Sequence, residues 1–146
     1  MPDGFGPLRA LGERQLQIQF TLSNMYDTQA MGLLGLNAAL AAAAVAGDKL
    51  LGHLWWLTLI GLLASSVIAG SALFVRVEEV GLDLTTNVGL AEEASRDEMN
   101  QAIVAALSEA VDDNDEQLAS KSDRVWVALL FLMATVFGAI IGVLAF

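Results

Sequence analysis

Residues 28–46, 54–75 and 125–146 are almost uninterrupted runs of apolar and small side chains, and none of them carries a charge. A helix of about 20 residues, rising 1.5 Å per residue, crosses roughly 30 Å of hydrocarbon, so the pattern predicts three transmembrane helices. The first run is the least apolar, being largely alanine with Gly32, Gly35 and Asn37. Its end, Ala44-Val45-Ala46, has the small-residue spacing of a signal-peptidase site. Small residues also suit burial against neighbouring helices, and we read the segment as a retained span.

Ahead of the first span, Leu8, Gln15 and Leu22 interleave with Leu11, Ile18 and Met25 at seven-residue intervals. With Pro7 suited to a helix start, this predicts one helix over residues 7–46, its first part (7–27) an amphipathic stalk outside the bilayer. The seam serves either self-association or another partner, or it packs against the chain's own second extramembrane helix. Between the second and third spans, residues 76–124 hold 13 acidic and 4 basic side chains. Residues 90–118 lack glycine and proline, and Met99, Ile103, Ala106, Leu107, Ala110, Val111 and Leu118 form a modest apolar face, so this segment too reads as helical. A straight helix from Leu90 would outrun the 14 residues that lead back to Arg76. The expectation is therefore a helical hairpin with a bend at Asp112-Asp113-Asn114-Asp115, whose side chains compete with helical hydrogen bonds, or else one steeply tilted helix. The fold class is thus an all-α membrane protein, with three transmembrane helices and cytoplasmic helical extensions, forming a single domain over residues 1–146.

Composition sharpens this picture. The chain is 55% hydrophobic yet carries 17 acidic against 7 basic residues, a net charge of −10. Nine of those ten net negative charges fall in residues 76–124, so the acidity belongs to one segment. The scarcity of lysine, only Lys49 and Lys121, gives the acid surplus the look of proteins from salt-loving archaea, where screening relieves carboxylate repulsion. Arg9, Arg14, Arg76, Arg96, Lys121 and Arg124 all lie on one side of the predicted spans and only Lys49 on the other. The bias places the protein in the cell (cytoplasmic) membrane, multi-pass, with its N-terminus cytoplasmic and its C-terminus external. Tyr26 and Trp126 would mark the inner interface, Trp55 and Trp56 the outer.

The chemistry that is missing excludes much. There is no cysteine, one histidine (His53, read as an exposed loop residue), no phosphate loop and no nucleophile elbow. No catalytic residue, metal site or cofactor is expected, and the acid surplus would repel nucleic acid. The acidic cluster lacks the glycine and distal glutamate of a calcium loop, and Glu92 and Glu93 read as an exposed pair. What the spans offer is neutral and polar: Asn37 in the first, Ser65 and Ser66 in the second, Thr135 in the third. An antiparallel arrangement brings all four to nearly one depth, where they either hydrogen-bond within the protomer or line a pore built by several copies. Small residues suited to close helix packing accompany them: Gly138 and Gly142 four apart, Gly61, Ser65 and Ala69 on one ridge, Ser66 and Gly70 on the next.

The order of elements, with Tyr26-Asp27-Thr28-Gln29-Ala30 opening the first span, resembles the SLATT and Pycsar-effector membrane modules of bacteria and archaea. An aspartate-threonine-lysine-alanine element often opens the first span in those families; Asp27, Thr28 and Ala30 match it and Gln29 replaces the lysine. The resemblance implies a defence-associated protein that assembles and permeabilises the membrane when a sensor detects a nucleotide signal, the sensor here being a separate protein. The functional expectation is a non-enzymatic homo-oligomer acting as a pore or membrane-perturbing effector in the lipid bilayer. The alternative is an accessory or scaffold subunit that meets an unlike membrane or sensor protein through its acidic segment.

Overall fold

The computed structural model describes residues 5–47, 52, 54–75, 77 and 96–145, and these are helical apart from short turns. Three helices follow one another: α1 (Phe5–Ala46), α2 (Leu54–Leu73) and α3 (Arg96–Ala145). Each is long and apolar enough to cross a bilayer. At 42 and 50 residues, α1 and α3 are also far longer than a span requires. Pro7 sits in the first turn of α1, where its missing N–H costs no helical bond. Asp97 and Glu98 place negative charge at the N-terminus of α3, where the helix dipole favours it. Beyond α1, Gly52 adopts φ +54, a left-handed conformation that a side chain would strain.

The chain divides into two compact units: Met1–Ser23 with Arg76–Leu118, and Asn24–Val75 with Ala119–Phe146. In the first, the contacts Gly12 with Leu107 and Gln19 with Val111 rise together in number, so the helices run parallel. In the second, Ser71 meets Arg124, Ser65 meets Ala128 and Gly61 faces Thr135, so α2 runs antiparallel to α3.

Burial repeats at alternating steps of three and four on every helix. On α1 it marks Leu16, Gln19, Ser23, Tyr26, Ala30, Leu33, Asn37, Leu40 and Ala44; on α2, Leu62, Ser65, Ala69 and Ala72; on α3, Leu107, Val111, Asn114, Leu118, Lys121, Val125, Ala128 and Leu132. A mean period of 3.5 is that of knobs-into-holes packing. The seam mixes small and apolar residues with polar ones. Gln19, Ser23, Asn37, Ser65, Asn114 and Lys121 are buried beside Ala30, Leu62, Ala69, Leu107 and Ala128, while Leu57, Ile60, Leu63, Val67, Phe137 and Ile141 are exposed.

Two expectations are refined here. Among the described residues the seam of Leu8, Leu11, Gln15, Ile18, Leu22 and Met25 is exposed apart from the half-buried Leu22. The face one residue further round the helix packs instead, because Gly12 lets Leu107 approach to 3.4 Å of where a Cβ would stand and Gln19 bonds across to α3. Of the two alternatives for the acidic segment, the described part has the continuous helix: α3 runs through Asp112-Asp113-Asn114-Asp115 uninterrupted. Asn114 is buried in the seam and Asp115 accepts a hydrogen bond from Gln19, so tertiary contacts occupy the groups that would otherwise compete with the helix. The first arm of the expected acidic hairpin, with Glu92 and Glu93, and His53 lie outside the described residues.

Candidate functional site: a polar seam between the spans

The second unit is fastened at two levels. At the first, the Nδ2 of Asn37 on α1 donates to Oγ of Ser65 on α2 at 3.0 Å, and Ser65 Oγ donates to the backbone carbonyl of Ala128 on α3 at 2.9 Å. One asparagine and one serine thereby tie all three helices together. Both are buried, Asn37 at 1% and Ser65 at 0% exposure. The carbonyl oxygen of Asn37 has no hydrogen-bond partner. Asparagine has both donors and an acceptor, and only the donor side is used here.

At the second level, Nζ of Lys121 on α3 stands 2.8 Å from Oδ1 of Asp27 on α1. The lysine is 2% exposed and the aspartate about one third, 33%. A lysine is almost never so buried without a carboxylate beside it, so the pair explains how α3 carries a cation into its packed face. Close by, the Arg124 guanidinium donates to the carbonyl of Ser71 at 3.0 Å. Ser71 lies in the last turn of α2, where carbonyls lack intrahelical donors and the helix dipole favours a cation, so Arg124 caps α2 from the neighbouring helix.

Of the four polar residues expected at one depth, the fold joins Asn37 and Ser65. Ser66 donates to its own Leu62 carbonyl at 2.8 Å and Thr135 to Phe131 at 2.7 Å, so each hydroxyl is satisfied within its helix. The small residues divide similarly. A Cβ at Gly61 would collide with the Thr135 side chain, and one at Gly142 with the end of Leu54, whereas Gly70 and Gly138 have open space beside them. Ala69 is fully buried. Gly61, Ser65, Ala69 and Gly142 thus lie in the packed seam, and Ser66, Gly70 and Gly138 flank it.

Sequence reasoning did not find Lys121 and Asp27 as a pair, nor Gln19. In the first unit, Gln19 Nε2 donates to the Val111 carbonyl at 3.0 Å and to Asp115 Oδ1 at 2.6 Å. The available signal was a repeat of small or polar residues every seven positions: Asn114, Lys121, Ala128, Thr135 and Gly142 on α3, and Thr58, Ser65 and Ala72 on α2. In apolar helices that repeat marks the inside.

No protein family, curated protein or solved structure matches the chain. Function must therefore be argued from these contacts and from the distribution of polarity.

Proposed function

We propose that the chain is a non-enzymatic, multi-pass membrane protein that works as a homo-oligomer, forming a pore or perturbing the bilayer. The observation that carries this is the distribution of polarity in the second unit, with small residues and the hydrogen-bonding groups of Asn37, Ser65 and Lys121 inside and large apolar side chains outside. Such a surface is stable in hydrocarbon and costly in water. The one-sided distribution of arginine supports a cytoplasmic N-terminus. Asp27, Thr28 and Ala30, the residues that carry the resemblance to the SLATT and Pycsar-effector modules, support the effector role. Asp27 is also the partner of Lys121.

Asn37 is the gating contact in this reading. Its amide is tied to Ser65 inside a closed protomer, and its free carbonyl is the polar atom available to water or a cation when α1 and α2 part. Asn37→Leu is expected to lower ion flux through proteoliposomes at least tenfold, while changing stability by no more than about 1 kcal/mol. One hydrogen bond of about 0.6–1.7 kcal/mol is lost, and an unsatisfied carbonyl leaves the core. Undiminished flux in Asn37→Leu removes the role given to Asn37. The complete burial of Asn37 and Ser65 favours a second reading, a non-conducting scaffold subunit. Absence of flux from the wild type, with constant co-purification of unlike chains, selects it.

A further inference from the structure

We propose that the exposed face of α1 is the self-association surface, and that a second copy of the same helix lies along it in parallel. This rests on the homo-oligomeric reading above and names its interface. Leu8, Leu11, Gln15, Ile18, Leu22 and Met25 keep alternating steps of three and four, and α3 of the same chain packs on the neighbouring face instead. Counted on along the same unbroken helix, the register continues through Gln29, Gly32, Leu36, Ala39, Ala43 and Ala46, every one of them exposed. The apolar heptad pattern itself belongs to residues 8–25, and the unbroken helix carries its register on into the span.

Three observations identify the occupant. First, Gln15 and Gln29 occupy equivalent positions fourteen residues apart, both exposed, and among the described residues neither side chain has a hydrogen-bond partner. In a parallel pair each meets its own copy, donor to acceptor, which fixes the register; at Gln29, inside the span, an acyl chain offers no such partner. Second, in the second unit a groove of about 500 Å³ is lined by Gln29, Gly32 and Leu36 of this register and by Val125, Trp126 and Leu129 of α3. It is a hole of the kind that a neighbouring helix's knobs fill. Third, charge selects the face. The described part of α3 in the first unit exposes Asp97, Glu98, Glu109, Asp112, Asp113 and Glu116, so two copies meeting there would set acid against acid. On α1, Arg9 is already paired with Glu13 at 2.8 Å and the seam itself carries no charge. Copies in one membrane share their orientation, which makes the parallel arrangement available at every level of the helix.

The chain has no cysteine, so single substitutions report contacts without background. Full-length Leu11→Cys, Ile18→Cys and Ala39→Cys, reconstituted in liposomes and treated with copper phenanthroline, are expected to give disulfide-linked dimers. Gln17→Cys and Ala38→Cys, exposed but off the seam, are expected to give at least tenfold less. The double variant Leu11→Glu/Ile18→Glu is expected to reduce the native mass to that of a monomer with its helical circular dichroism retained. Equal cross-linking on and off the seam, or a multimer that survives the double variant, overturns the interface. If the wild type is multimeric by native mass and yet no seam position cross-links, this interface fails and the homo-oligomeric reading stands. A monomeric wild type sinks both.

Discussion

Replacing Asp27 by alanine is expected to destabilise the folded protein by about 3 kcal/mol, the lower end of what breaking a buried ion pair costs. The reason is asymmetric burial. Lys121 is 2% exposed, so losing the carboxylate 2.8 Å away takes a counter-charge from an ammonium that water barely reaches, whereas Asp27 is one-third exposed and keeps access to water. The converse variant, Lys121→Met, fills the same volume with an uncharged chain and leaves behind the partner that hydrates more easily. Its cost is expected to be smaller, about 1 kcal/mol. Combining Lys121→Met with Asp27→Leu removes both charges and is expected to recover most of the loss, since a buried pair replaced by apolar groups is often neutral. Equilibrium unfolding in mixed detergent micelles, with helical circular dichroism as the readout, gives all three values. A cost for Asp27→Ala below about 0.5 kcal/mol is what an exposed pair would give, and would show that the lysine does not depend on this carboxylate.

This pair also shows where the sequence was legible and where it was not. Length and hydropathy alone identify three helices that can span a bilayer, and the expected start of the second span, Leu54, is where α2 begins. The packed face was misjudged because the usual rule runs backwards. Around residues 8–25 the apolar stripe was the visible period, yet Gln19 and Ser23 are the buried residues and Leu11 and Ile18 the exposed ones. In the apolar stretches, apolar side chains lie all round each helix, so hydrophobicity cannot say which way one faces; the small and polar residues can. Asn37 and Ser65 were legible for that reason, being polar groups at matching depth in neighbouring spans. Lys121 was not, because it stands outside the uncharged run, among acidic residues that make it look solvated. Asp112-Asp113-Asn114-Asp115 misled for a related reason. Local preference argues for a helix break, and only the contact of Gln19 with Val111 and Asp115, 92 and 96 residues apart, shows why the helix continues.

Gly61 is where close packing of α2 on α3 is most exposed to test. A Cβ there would overlap Oγ1 of Thr135, lie 2.9 Å from Cγ2 and 3.1 Å from its Cβ, so the whole side chain stands in the way, not one mobile end. Gly61→Leu must therefore push the two helices apart. It is expected to cost about 3 kcal/mol, the upper part of the range for overpacking, and to loosen the Ser65 bond to Ala128 one turn further along. Gly61→Ala is the finer probe. Alone it meets Oγ1 and Cγ2, but in Gly61→Ala/Thr135→Ala only the Cβ at 3.1 Å remains, which a shift of a few tenths of an ångström relieves. The double variant is expected to be more stable than the sum of the single effects by about 1 kcal/mol, the signature of two groups in contact. Gly142→Ala should cost less than Gly61→Ala, because it meets the terminal methyl of Leu54, which can rotate away. Gly138→Ala, with nothing within 4 Å, should cost nothing and gain up to about 1 kcal/mol from alanine's higher helix propensity. Micelle unfolding measures the series. Equal costs at Gly61 and Gly138 would mean that the four-residue glycine spacing, and not the contact with Thr135, governs the helix, and would overturn the packing described here.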